Sequence, residues 1–155
     1  MSTPPRTTEN IIQILANLQD FLRKPIIKNK LSDFYSLTKE EQIEIIGLIL
    51  NSIPHVDINL LEELMVSWFE VLSKFESKKI NYILSIYLEE IFKKPALILK
   101  LVPSVIRTTK RLEESNREIL RICFIEALFN SSIKDEMLQI LDKQTKDFLY
   151  KEKNI

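Results

Sequence analysis

Glycine is almost absent: the 155 residues contain one, Gly47. Strands, hairpin turns and phosphate-cradling loops draw on glycine for positive φ or for close backbone approach, so a chain this poor in it is expected to be all helical. Cysteine and histidine are as scarce, with Cys123 and His55 the only representatives. A lone thiol excludes an intramolecular disulfide, and one thiol with one imidazole cannot build a Cys/His zinc site. The expected setting is a reducing, intracellular one, with a cytoplasmic location.

Long apolar runs are missing too. Residues 1–10 lack the apolar core of a signal peptide, and no uncharged stretch approaches the roughly 20 residues of a membrane helix. The most apolar window, PALILKLVPSVI at 95–106, carries Lys100 and Pro103 and reads as buried helix. No membrane insertion is expected.

Catalytic spellings are absent as well. There is no glycine-rich loop, G-x-S-x-G elbow, H-E-x-x-H, C-x-x-C or E-x-x-H pair, so no catalytic residue, cofactor-binding residue or metal ligand is assigned. His55, between Pro54 and Asp57, has no second group to exchange protons with and reads as a loop residue. Cys123, between Ile122 and Phe124, reads as a buried inert thiol. The adjacent pairs Glu62–Glu63 and Glu89–Glu90 point about 100° apart on a helix, so neither pair can share a proton or a metal.

What is present is helical patterning. Hydrophobic residues make up 45% and charged residues 28% of the chain, the balance of a globular domain that can bury about two thirds of its unfolded surface. MSTPPR suggests a loose leader over residues 1–7, followed by one all-helical domain over 8–150 and a frayed tail at 151–155. A first helix is expected from Thr7 or Thr8 to Pro25, with Ile11, Ile14, Leu15, Leu18, Phe21 and Leu22 on one face and the cations Arg23 and Lys24 at its end. A short amphipathic turn follows at Leu31, Phe34 and Tyr35.

The capping box Thr38 to Glu41 opens a helix through Ile43, Ile46, Leu50 and Ile53 that stops at Pro54. Asp57 opens the next, with Leu61, Leu64, Met65, Trp68, Leu72 and Phe75 on its buried stripe. After Ser77 a helix carries Ile80, Ile83, Leu84, Tyr87, Leu88 and Ile91. Pro95 fits the first turn of its successor, which Pro103 kinks or divides. A second capping box, Ser115 to Glu118, opens a helix with Ile119, Ile122, Cys123, Leu128 and Phe129. A last helix from about Ser132 carries Met137, Leu138, Leu141 and Phe148. The fold class is thus all-α, with seven or eight antiparallel helices in helical-bundle or HEAT-like packing.

FLRKPIIKNKL at 21–31 resembles IFKKPALILKL at 91–101. A shift of 70 residues also pairs Leu18 with Leu88 and Leu31 with Leu101. Two readings stay open: an internal duplication with halves 8–75 and 77–150, and ordinary helix punctuation by cations and proline.

The formal net charge is zero but unevenly spread. Residues 31–76 carry two bases against nine acids, and residues 77–111 eight bases against two acids. Neighbouring solvated faces would attract one another weakly. Alternatively, Arg23, Lys24, Lys28 and Lys30 converge with Lys93, Lys94, Lys100, Arg107, Lys110 and Arg111 into one basic binding patch. Phe69 is the candidate interface anchor if it turns outward. The functional expectation is a non-enzymatic protein-interaction or scaffold module with a protein partner or a second copy of itself. The alternative is a nucleic-acid- or phosphate-binding regulator, disfavoured by the neutral total and few exposed aromatics.

Overall fold

The computed structural model describes residues 4–140, and side chains over 11–139. These residues form α1 (Pro4–Asn17), α2 (Asp20–Phe34), α3 (Lys39–Ser52), α4 (Ile58–Leu72), α5 (Ser77–Ile91), α6 (Pro95–Thr109), α7 (Glu114–Phe129) and α8 (Lys134–Ile140), with a 3-10 turn at Ile53–His55. No strand occurs among them. From α2 to α7 successive helices start 18 or 19 residues apart.

Local chemistry sets several of these starts. Thr38 Oγ1 accepts from the Glu41 amide at 3.2 Å while Glu41 Oε1 accepts from the Thr38 amide at 2.9 Å, the reciprocal box expected there. Asp57 Oδ2 accepts from the Asn59 and Leu60 amides at 3.1 and 3.3 Å. Pro95 is the first residue of α6, where its missing N–H would have had no partner. Gly47, in the middle of α3, has no positive φ, and a Cβ there would meet nothing within 4 Å.

The chain departs from its punctuation at several places. Instead of one helix to Pro25, α1 ends at Asn17 and α2 begins at Asp20, with Pro25 inside α2. The break turns Ile27, Leu31 and Phe34 inward, absorbing the expected amphipathic turn into α2. Pro25 is tolerated because the one carbonyl its ring deprives of a helical partner is that of the exposed Phe21. The helix α1 also takes in Pro4 and Pro5, which suit a first turn, so residues 4–7 of the expected leader are helical. Ser115 to Glu118 is not a cap: α7 starts from Glu113, and Glu118 pairs with Arg121 instead. Pro103 lies on the exposed side of α6, which runs through it unbroken. Met137 is buried on α8, while Leu141, Phe148 and the expected tail at 151–155 lie outside the described residues.

Packing skips one helix at a time. α1 packs on α3, α3 on α5 and α5 on α7; α2 packs on α4 and α4 on α6. α4 also touches α1 and α7, and α5 touches α6, so the two sets are linked at these places. The hydrogen bonds that join helices distant in sequence share a narrow separation, 40 to 48 residues, from Tyr82 to Gln42 up to Arg111 to Glu63. Ile46, Leu50, Leu72, Ile80, Ile83, Ile98, Leu128 and Met137 are essentially sealed from solvent in the core.

A second device holds consecutive helices. The fourth residue of three helices reaches back to the end of the preceding segment. Arg23 Nη2 donates to the Leu18 carbonyl at 2.6 Å, Gln42 Nε2 to that of Phe34 at 2.9 Å, and Arg117 Nη1 to that of Leu112 at 3.3 Å. These carbonyls lie at or just beyond helix C-termini, where helical partners run out. At the same place in α4, α5 and α6 stand Leu61, Ile80 and Ile98, all buried.

Candidate functional site

Of the ten cations of the expected patch, Arg23 is buried, and Lys24, Lys93, Arg107 and Arg111 are each engaged by a carboxylate. Arg23 is only 5% exposed, and beyond its bond to Leu18 its Nε and Nη1 have no partner among the described residues. It is a structural cation near Asp20. Lys24 lies between Asp20 at 3.2 Å and Glu70 at 2.9 Å. Lys93 pairs with Glu90 at 2.8 Å, Arg107 with Glu62 and Arg111 with Glu63, each of the last two at 2.5 Å. The acidic and basic blocks therefore meet within the chain at the α4–α6 contact, and Lys24 of α2 adds a further cation to the acids of α4.

The charges at these contacts respond to one another. The Arg107 guanidinium holds the Glu62 carboxyl below its ordinary range against the opposing effect of burial, with the Ser104 hydroxyl adding to it. Burial pushes Asp20 upward, but the Ser67 hydroxyl and the Lys24 ammonium outweigh it and leave the carboxyl below its usual value. Glu70 raises the Lys24 ammonium correspondingly. At the end of α2, burial raises the Tyr35 phenol, whose hydroxyl donates to the Lys79 carbonyl of α5 at 2.7 Å.

Lys28, Lys30, Lys94, Lys100 and Lys110 have no carboxylate in ion-pair range among the described residues. Lys28 and Lys30 are exposed on α2. Lys94 and Lys100 stand together at the start of α6, on the rim of an open pocket of about 380 Å³. Leu50, Pro54, Ala96 and Leu97 form its apolar lining. Lys24 pairs with Glu70 of α4, whereas Lys94 lies beside Leu50 and Pro54 at the end of α3. The two Lys-Pro steps also differ in position: Pro25 is inside a helix and Pro95 begins one.

Phe69 is half-buried and packs edge-on to Trp68 at 5.4 Å, with Trp68 in turn against Tyr87 at 5.3 Å. The outward apolar groups are others. Phe21 and Leu99 are each 69% exposed and Ile14 59%, with Leu22, Ile26 and Ile122 also open to solvent. The signal for Phe21 and Leu22 lay in α2 itself, whose apolar residues occupy two opposite sides rather than one stripe.

The residues considered for chemistry have structural surroundings. The His55 carbonyl accepts from Gln13 Nε2 at 3.1 Å. Cys123 is buried, burial pushes its thiol up, and its Sγ lies 3.9 Å from the Ser77 carbonyl. No group of three or more His, Cys, Asp or Glu residues that could hold a metal occurs among the described residues. Nor is any helix among them long and apolar enough to cross a membrane. No protein-family model matches the sequence, and no curated protein or solved structure matches it.

Proposed function

We propose that the chain is a two-layer helical repeat, HEAT-like in packing, that acts as a non-enzymatic, intracellular protein-interaction module. The observation that carries this reading is the shared 40 to 48 residue separation of the bonds between its helices. That interval is about the length of one helix pair in HEAT-type arrays, where each unit touches only its neighbours. The short connections between helices fit antiparallel succession. Duplication also finds support at a different shift from the one the Lys-Pro similarity suggests: α6 begins and ends 75 residues after α2.

Arrays of this kind present long helical faces to partners, and α2 and α6 both turn apolar side chains outward. The nucleic-acid reading draws on Lys28, Lys30, Lys94, Lys100 and Lys110, but the pairing of Lys24, Arg107 and Arg111 with Glu70, Glu62 and Glu63 takes three cations of the expected patch away from phosphates.

Affinity capture from the source cells, followed by reconstitution of the captured protein with the purified chain, tests the proposal. A saturable complex that survives about 0.3 M salt is expected. Binding only to nucleic acid, lost steeply with salt, would contradict it.

A further inference from the structure

The segment from Phe92 to Leu112 contains no Asp or Glu. Within it Arg107 and Arg111 are neutralised by α4 and Lys93 by Glu90, while Lys94, Lys100 and Lys110 meet no carboxylate of the described residues. On the helix wheel Ala96, Leu99 and Pro103 form one outward ridge, with Lys100 beside it and Lys110 at its end. Ala96, Leu99, Lys100, Pro103 and Lys110 are all exposed. The pocket between Leu50, Pro54, Ala96 and Leu97 opens at the start of this ridge.

We propose that the outer face of α6 and the pocket at its start form the docking surface for an acidic amphipathic segment of a partner protein. One apolar side chain of that segment seats in the pocket, and its carboxylates meet Lys94, Lys100 and Lys110. This rests on the interaction-module reading and names the chemistry of the partner.

Three features favour this occupant. The uncompensated charge is of one sign, which selects an acidic partner over a neutral one. The pocket is a concavity large enough for a side chain, which suits an anchor residue better than a flat bilayer surface. The acids of α4 do not supply a match from a second copy of this chain, because Glu62, Glu63 and Glu70 are already engaged in its own ion pairs.

The test is selection of a displayed library of random 12-residue peptides on the immobilised full chain, with binding of the selected peptides then measured by fluorescence anisotropy. The expected winners carry several Asp or Glu around a Leu, Ile, Met or Phe. They should lose at least about tenfold in affinity against Lys100→Glu/Lys110→Glu, and similarly against Ala96→Trp, which fills the pocket. Thermal melting by circular dichroism verifies that each variant is folded, and the charge reversal stands as the deciding variant if Ala96→Trp is not.

Winners that bind the charge-reversed protein as tightly as the original overturn the α6 surface and leave the interaction-module reading standing. A selection that enriches nothing overturns both. Co-sedimentation with phosphatidylcholine–phosphatidylserine vesicles that is lost on charge reversal, without peptide enrichment, overturns the peptide proposal in favour of a lipid surface.

Discussion

Arg107 donates twice to a single oxygen of Glu62, from Nε at 3.0 Å and from Nη2 at 2.5 Å, and the same Oε2 accepts from Ser104 Oγ at 2.9 Å. Three donors on one carboxylate oxygen tie α6 to α4, as Lys24 and Glu70 tie α2 to α4. The acidic character of α4 is thus explained by its position between two helices that bring it cations.

Acid sensitivity follows from these carboxylates. Glu62 and Asp20 titrate below their ordinary values of 4.5 and 3.8 in the folded chain. The stability they contribute is therefore fully present above those ordinary values and is lost as pH falls through the lower folded ones. Urea midpoints should fall as pH drops below about 4.5. Glu62→Gln should remove the upper part of that fall.

Helix capping separates the two boxes written in the sequence. Thr38→Ala should destabilise the protein by about 1 kcal/mol, since it frees the Glu41 amide. Ser115→Ala should change stability by less than about 0.5 kcal/mol, because Ser115 lies inside α7 rather than at its cap. Chemical denaturation of both variants checks the contrast.

The single glycine is dispensable for shape. Gly47 is helical and a Cβ at that position meets open space, so Gly47→Ala should stabilise the protein by roughly 0.5–1 kcal/mol through helix propensity and a less free unfolded chain. An unchanged or lower denaturation midpoint would show that the α3 backbone needs glycine there.

Burial of Arg23 has its own signature. Arg23→Ala should cost about 2 kcal/mol, from lost packing and an unmet Leu18 carbonyl. Arg23→Met keeps most of the side-chain volume and removes two buried unpartnered nitrogens, so it should cost clearly less. Equal losses for the two variants would point to the charge itself rather than to packing.

The readable parts of the fold were those fixed by short-range chemistry. Thr38, Asp57 and Pro95 act within one helical turn, and each sits where its residue type predicts. The break at Leu18 and Gln19 was hidden because Ile14, Leu15, Leu18, Phe21 and Leu22 keep a helical period straight through it. Only the need to turn Arg23, Ile27, Leu31 and Phe34 inward moves the boundary ahead of Pro25. The site was less legible for the same reason. Whether Phe69 or Phe21 faces solvent depends on neighbours such as Trp68 and α4, and the pairing of Arg107 with Glu62 depends on a contact 45 residues away.

Row packing itself can be tested by cross-linking paired cysteines with a short thiol-reactive reagent in a Cys123→Ser background. Asp20→Cys with Ser67→Cys joins α2 to α4, where the native side chains are hydrogen-bonded at 2.6 Å, and Glu62→Cys with Ser104→Cys joins α4 to α6. Both pairs should cross-link efficiently within the monomer, while Asp20→Cys with Ser104→Cys should not. Efficient linkage of that last pair, or failure of the first two in folded protein, would contradict the arrangement in which each helix packs on the one two places along.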